Sequence, residues 1–353
     1  MNPIDVDAAI AALAPCRARL IVESVRLPLR EPFRISDHLF EHVDTVVARL
    51  EEDGCVGRGE AAGVFYLGDR PEGMVRALEA AKPWIAQGVD HAALAERMPS
   101  GGARNALDCA LWDLQACKAR TPVWRLLGMT RPEPLLTAFT VGNGTPAAMA
   151  DGARRYAQAR AIKIKLGGDD ADADRVRAVR SARPDVWLGV DANRGLAPET
   201  LDRLLPHLLA ADVRLLEQPF AVGADAPLHG LRAGIPVAAD ESIQTMADLE
   251  RLAPLYQVVN IKLDKCGGLT AGLRMAQRAR ELGLDVMVGN MIGTSLAMAP
   301  AYLLGQQCDV VDLDGPVFLR SDHEPGVSYR AGLIRCPDAL WGGGCDSHER
   351  ETP

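Results

Sequence analysis

The chain has 353 residues, 48% of them hydrophobic and 24% charged, with a formal net charge of -8 and a pI near 5.5. That length and composition support a large buried core and leave room for a barrel plus a second domain. An acidic chain whose lysines and arginines are scattered offers no field for nucleic acid or an anionic membrane surface, so neither is an expected partner.

No run reaches the roughly 18 apolar residues of a membrane span. The opening MNPIDVDAAIAALAPCRARL, with Asp5 and Asp7 near its start, lacks the charged-then-apolar layout of a signal peptide. The cysteines (Cys16, Cys55, Cys109, Cys117, Cys266, Cys308, Cys336 and Cys345) form no CxxC pairing. They read as small buried hydrophobes in a reducing cytosol, and a cytoplasmic location is expected.

Residues 1–17 read as an Ala-rich helical extension. From 18 to 133 the pattern is strands and then helices: RLIVESVRLPL and HVDTVVARLEE alternate with period two, DGCVGRGEA turns through Asp53-Gly54, and MVRALEAAKPWI and NALDCALWDLQACKA carry helical spacing. That order predicts an α+β unit distinct from the remainder of the chain. Residues 134–316 alternate regularly. LTAFTVG, AIKIKLGG, VWLGVDAN, VRLLEQP, IPVAADES, VVNIKLDK, LDVMVGN and CDVVDLDG are strand candidates separated by helical stretches such as ETLDRLLPHLLA. Units of one strand and one helix curl into a parallel barrel. The segment 317–353 is irregular and Gly-rich, and is expected to pack back on the first domain.

Charged residues close these strands about every 25 residues: Lys163 and Lys165, Asp191, Glu217, Asp240, Lys262, then Asp312 and Asp314. Barrel enzymes gather their chemistry at the C-terminal strand ends, so the periodicity predicts one shared site. Any one of the acids alone would be a solvated carboxylate or a helix cap. Asp191, Glu217 and Asp240, at intervals of 26 and 23 residues on consecutive strands, instead predict an all-oxygen site for a hard cation such as Mg²⁺. The absence of His and Cys at these ends disfavours zinc.

Lys163 and Lys165 share one face of their strand, opposite Ile162, Ile164 and Leu166. By the same parity Lys262 joins Asn260 and Asp264, while Lys265 should point outward. Strands two and six of a barrel lie across its axis, so Lys165 and Lys262 would meet a central substrate carbon from opposite faces, one removing a proton and the other returning one. A positioned base supplies about 10²–10⁴-fold, and metal stabilisation of the developing oxyanion must add several kcal/mol. Mutual repulsion and the nearby cation are expected to keep the lysines partly neutral. Asp312 and Asp314 flank Leu313 on one face, where two more buried acids predict a positively charged substrate group such as an ammonium.

On these residues the chain resembles the enolase superfamily, in its muconate-lactonizing-enzyme subgroup, whose members pair a Lys or His base with Mg²⁺. The resemblance runs through NALDCALWDLQACKA, KIK, DAN at 191, EQP at 217, ADES at 239, NIKLDKCGGLT at 260, GNMIGTSLAMAPA at 289 and DLDGP at 312. The later motifs look most like the dipeptide epimerases. The resemblance implies an α/β fold, a modified (β/α)7β TIM barrel with an N-terminal α+β capping domain. It also implies Lys165 and Lys262 as the acid/base pair and Asp191, Glu217 and Asp240 as Mg²⁺ ligands. Asp312 and Asp314 would hold a dipeptide's amino group, Thr140, Lys163 and Met291 would lie near the substrate, and Asn193 and Glu241 would stand behind the ligands. The implied reaction inverts the Cα of the C-terminal residue by 1,1-proton transfer through an enediolate. The expected partners are a small dipeptide and further copies of the chain.

In the lid segment PFRISDHLFEH, Phe40 stands where Ala-Glu epimerases carry a glutamate-gripping arginine, with Asp37, His38 and Glu41 around it. A hydrophobic or cationic second residue is therefore expected, with Arg34 as the cation able to reverse that preference. An o-succinylbenzoate synthase, N-acylamino-acid racemase or cycloisomerase of the same subgroup would share the metal and lysines without needing Asp312 and Asp314. A non-catalytic binding protein on the same scaffold would need none of them.

Overall fold

The structure is a computed structural model and describes residues 4–35 and 38–343; the side chains of residues 34, 35, 38 and 39 are not among those described. Helix α1 (Val6–Ala11) starts at Asp5, whose carboxylate accepts a hydrogen bond from Ala8 N, and its Asp7 pairs with Arg274 of the barrel. The capping sheet is antiparallel, in the order β1 (Arg19–Ile35), β2 (His38–Glu52), β3 (Cys55–Ala61). Asp53 and Gly54 turn the chain between β2 and β3 with φ of 52° and 77°, the type I′ geometry that matches strand twist. β1 and β2 run longer than their sequence pattern, with a register shift between Pro28 and Phe33. The hairpin is held to the barrel side by a Leu29–Leu319 bridge and by Arg320, whose Nε donates to Leu29 O at 2.9 Å.

Helices α2 (Pro71–Ile85) and α4 (Gly102–Ala119) cover that sheet, and α3 (His91–Arg97) packs against α4. α4 is buried on almost every side because it lies between β3 and the barrel. Glycine makes the approach possible: a Cβ on Gly57 would fall 2.1 Å from Ala110 O, and one on Gly59 2.1 Å from Ala106 O. On its other side Trp112 Nε1 donates to Thr270 Oγ1 at 2.9 Å, and Asp108 accepts from Thr270 N at 3.0 Å. Near the site, the Glu60 carboxylate accepts from Thr294 N at 2.8 Å, while Asp264 accepts from Ala62 N and Gly63 N at 2.9 and 2.8 Å. Each domain thus lends a carboxylate to backbone donors of the other.

After α5 (Val123–Leu126) and the short β4 (Leu135–Leu136), eight parallel strands form one sheet in sequential order. They are β5 (Ala138–Val141), β6 (Ala161–Lys165), β7 (Trp187–Asp191), β8 (Val213–Glu217), β9 (Val237–Ala239), β10 (Val258–Ile261), β11 (Asp285–Val288) and β12 (Val310–Val311). The connecting helices are α6 (Pro146–Arg155), α7 (Asp172–Ala182), α8 (Pro198–Ala210), α9 (Met246–Leu252), α10 (Leu263–Cys266), α11 (Leu269–Glu281) and α12 (Ser295–Gly305), with a single 3₁₀ turn between β8 and β9. α6 opens on Thr145 and Pro146, and α9 on a Thr245/Asp248 capping box. Side chains bridge the seam between β12 and β5: Leu313 N donates to Thr137 Oγ1 at 2.9 Å, and Thr140 N to Asp314 Oδ2 at 2.6 Å.

The barrel interior is layered by strand parity. Leu215, Ala238, Val258 and Met287, with Trp187 and Val310, pack as an apolar floor. Two residues further along the same inward faces come Glu217, Asp240, Asn260, Gly289, Gly189 and Asp312. The polar site sits on an apolar floor. β13 (Ser328–Arg330) and β14 (Leu333–Arg335) pair with β4, and the chain then returns to the capping domain, where Trp341 Nε1 donates to Arg58 O at 2.9 Å and Gly342 N to Asp113 Oδ1 at 2.7 Å. The cysteines among the described residues are free thiols, and Cys16, Cys109, Cys117 and Cys266 are buried. Among those residues no helix is long and apolar enough to cross a membrane.

Candidate active site

The parallel register sets Lys165 beside Asp191 and Asp191 beside Glu217 at the strand ends, and Asp240 comes directly after β9. One oxygen from each of Asp191, Glu217 and Asp240 lies within 4.8 Å of the others, and all three residues are buried. The donor set is entirely carboxylate, which fits a hard divalent cation. Each acid is oriented from behind. Asn193 N donates to Asp191 Oδ1 at 2.9 Å, Asn260 Nδ2 to Glu217 Oε1 at 2.7 Å, and Gln218 Oε1 accepts from Asp240 N and Ser242 N. Asn193, Arg194 and Gln218 hold φ of 42°, 70° and 35°, a left-handed conformation that non-glycine residues adopt at a cost and that gathers at functional strand ends.

Lysines reach the triad from both sides. Lys165 Nζ lies 2.6 Å from Asp191 Oδ2, and Lys262 Nζ lies 2.6 Å from Asp240 Oδ2. They belong to β6 and to the residue after β10, four strands apart in a ring of eight. Lys163 Nζ lies 3.0 Å from Glu217 Oε2 and also pairs with Asp312, leaving Asp312 Oδ1 buried without a partner among the described residues. The Asp314 carboxyl is pushed up to about 7 by burial and by the charge of Asp312. Burial opposes the Lys262 ammonium, but Asp240 more than offsets this and holds it above the ordinary lysine value. The dominant neighbour of this amine is thus an acid rather than the second lysine invoked from the sequence. Asp240 itself is destabilised by burial, yet Lys262 and Lys265 hold it well below the usual carboxylate range.

Lys265 departs from the parity argument. It is 3% exposed, and its Nζ donates to Asp240 Oδ1 and O at 2.6 Å and to Asn260 O at 3.0 Å. Strand β10 ends at Ile261 and the chain turns at once into α10, so the period of two no longer applies and the Lys265 side chain folds back beneath Asp240.

A cavity of about 430 Å³ opens over these groups, with Thr140, Lys163, Asn193, Glu241 and Met291 in its wall. The Glu241 carboxyl is raised to about 7 by burial and by Asp240, and it pairs with Arg194 Nε at 3.1 Å. The capping domain closes the opposite side with Phe33, Phe40, Phe65 and Tyr66, and Phe318 joins them from the segment after β12. Phe40 and Phe65 meet edge to face at 5.4 Å, and Phe33 and Phe318 lie 4.5 Å apart. Asp37 and the Arg34 side chain, both singled out in the sequence as lid residues, lie outside the described residues. Tyr66 carries no sequence signal because it sits in a 3₁₀ turn (Phe65–Leu67), where no hydrophobic period marks a facing direction.

Two family models match the chain. "Mandelate racemase / muconate lactonizing enzyme, N-terminal domain" covers residues 17–128, and "Enolase C-terminal domain-like" covers residues 147–349. An L-Ala-D/L-Glu epimerase of Escherichia coli (strain K12) is 39% identical over 87% of this chain and 96% of its own length. A hydrophobic dipeptide epimerase of Roseobacter litoralis is 33% identical over 92% of this chain and 98% of its own length. Among solved structures, an enolase family member from Agrobacterium tumefaciens with homology to dipeptide epimerases, holding sodium and L-Ala-L-Glu, superposes with a TM-score of 0.88 at 36% identity, covering 92% of this chain and 100% of that one. A dipeptide epimerase from Methylococcus capsulatus, complexed with Mg and L-Arg-D-Lys, gives a TM-score of 0.84 at 30% identity over 92% of this chain and 98% of that one.

Proposed function

The chain belongs to the mandelate racemase/muconate lactonizing enzyme family of the enolase superfamily, and from that premise we propose that it is a dipeptide epimerase working by two-base 1,1-proton transfer. Three of the relatives named above are epimerases, and the fourth is described by its homology to dipeptide epimerases. The observation that carries the mechanism is the placement of Lys165 and Lys262 on opposite sides of one carboxylate triad.

Asp191, Glu217 and Asp240 would hold Mg²⁺, which when bound supplies positive charge to the carboxylate of the substrate's second residue. Lys165 and Lys262 then face the Cα of that residue from opposite sides. One amine takes the proton, the other ammonium delivers one to the reverse face, and the configuration inverts. The lysines exchange roles with the direction of reaction. Asp312 and Asp314 would receive the dipeptide's free ammonium group, for which the unpartnered Asp312 Oδ1 is a waiting acceptor. Lys163 would remain beside Glu217 and Asp312, with Asp191 Oδ2 3.7 Å away, screening three acids held in one small volume.

The second-residue side chain would lie toward the capping domain. Phe33, Phe40, Phe65, Ile292 and Phe318 make that wall apolar, which supports a hydrophobic second residue. The acid Asp44, also in the wall, is engaged by Arg26 at 2.8 Å. The test is incubation of a mixed L,L-dipeptide library with Mg²⁺ in D₂O and mass spectrometry of the products. Deuterium at one Cα, chiefly in dipeptides with an apolar second residue, is the expected result. Exchange only into N-acylated amino acids would overturn the dipeptide assignment, and exchange only into L-Ala-L-Glu would overturn the preference.

A further inference from the structure

The Tyr66 hydroxyl is the odd one among the chain's tyrosines. Tyr156 donates to Thr140 O at 3.4 Å, Tyr256 to Asp225 Oδ1 at 2.5 Å, Tyr302 to Glu133 O at 2.7 Å and Tyr329 to Leu313 O at 2.6 Å. The Tyr66 oxygen is buried and has no hydrogen-bond partner among the described residues. A buried hydroxyl without a partner is a net cost to folding, and native proteins keep such groups where something else uses them.

Its position says what that use is. Tyr66 belongs to the capping domain but lines the active-site cavity together with Asp240, Glu241 and Lys262. Its ring is held by the Arg194 guanidinium, 5.3 Å from the centroid, and Arg194 is fixed in turn by Glu241 at 3.1 Å. The ring meets Phe65 edge to face at 5.3 Å. Phe65 and Arg194 therefore fix the Tyr66 ring in the wall of the cavity that Lys262 also lines. Burial and the charge of Asp240 keep the phenol protonated, so it is a donor and never an acceptor anion in the working pH range.

We propose that Tyr66 is a further catalytic residue, its hydroxyl donating a hydrogen bond to the carboxylate oxygen of the substrate's second residue as negative charge builds there during proton abstraction. The inference rests on the epimerase reading, because that reading places the carboxylate at the cation held by Asp191, Glu217 and Asp240, in the cavity whose wall Tyr66 shares with Asp240 and Lys262. A donor prepositioned on a developing oxyanion strengthens in the transition state more than in the ground state, so its loss falls on kcat rather than on KM.

The experiment compares wild type with Tyr66→Phe. In the metal-free proteins, calorimetry reads the hydroxyl's structural role alone. The Phe variant should melt at the same temperature or up to about 2 °C higher, since no internal hydrogen bond is lost. A lower melting temperature would show a partner within the protein and overturn the proposal. With Mg²⁺ and the best dipeptide from the library, kcat should fall on the order of 10²-fold while KM stays within about threefold. An unchanged kcat, or a loss confined to KM, overturns the role of Tyr66 and leaves the epimerase reading standing. A wild-type enzyme that epimerises no dipeptide overturns both.

Discussion

Gly289 leaves the space through which Lys262 reaches the carboxylate triad. A Cβ on Gly289 would lie 3.0 Å from Lys262 Cε and 2.6 Å from Asn260 Oδ1, and Asn260 is the residue that orients Glu217. One methyl group would therefore disturb a proposed base and a proposed metal ligand together. Displacements of about 1 Å in a catalytic group cost on the order of 10²-fold. Gly289→Ala should lower kcat by that amount while the protein still folds. Steady-state kinetics together with circular dichroism would check this; a variant with wild-type kcat would show that Lys262 does not need this path.

The two amines should be separable by isotope. If Lys165 and Lys262 each serve one face of the Cα, replacing either with Ala removes epimerisation, with a loss of at least about 10²–10⁴-fold. Each single variant should still exchange the α-proton of one substrate epimer with D₂O, and the two variants should retain opposite epimers. NMR of the washed-in deuterium reads this directly. Retention of the same epimer by both variants would place the lysines on one side and end the two-base mechanism.

Lys265→Met tests whether the buried ammonium under Asp240 is structural. Removal leaves Asp240 O and Asn260 O without that donor and strips Asp240 of one of its two lysine partners. Breaking one partner of a buried pair typically costs about 3–5 kcal/mol, so the metal-free variant should melt well below wild type. Mg²⁺ should then restore more stability to the variant than to wild type, because one fewer positive charge opposes the ion while Asp240 gains a counter-charge. Melting curves with and without Mg²⁺ decide it, and equal Mg²⁺ shifts would show that Lys265 is electrically indifferent to the site.

Strand periodicity explains which parts of the site are legible in the sequence. Lys165, Asp191 and Glu217 are the last residues of β6, β7 and β8, where the alternation of side chains holds and an apolar run announces the strand. The eight-strand order comes from the same signal. Lys265 escapes it because this residue lies past the last strand residue, in a helical turn whose geometry no local pattern distinguishes from a strand continuation. The roles of Tyr66 and Asn260 are hidden for another reason. They depend on neighbours far away in sequence: Tyr66 on Arg194 and Asn260 on Glu217. The length of the capping hairpin is likewise concealed, since Pro28 and Pro32 interrupt a strand pattern that the Leu29–Leu319 bridge sustains from outside.

The joint between the two domains should respond to pH. Burial raises Glu60 from an ordinary value of 4.5 to about 7, even though Thr294 N donates to its carboxylate. In the folded state Glu60 therefore holds its proton through a pH range in which the unfolded chain has released it. Stability from this group is fully present below about pH 4.5 and is lost as pH rises through 7. The slope arises because the folded state binds more protons than the unfolded state in that window. A shift of this size corresponds to about 3 kcal/mol between the two limits. Glu60→Gln reproduces the protonated form, with an amide oxygen to accept from Thr294 N and an NH₂ to donate to Thr294 Oγ1. The variant should match wild type near pH 4.5 and exceed it at pH 8, so that the difference between their unfolding free energies grows across the interval. Urea unfolding at pH 4.5, 6 and 8 measures that difference. A constant offset at all three values would mean that Glu60 is ionised in both states and that the domain joint is insensitive to pH.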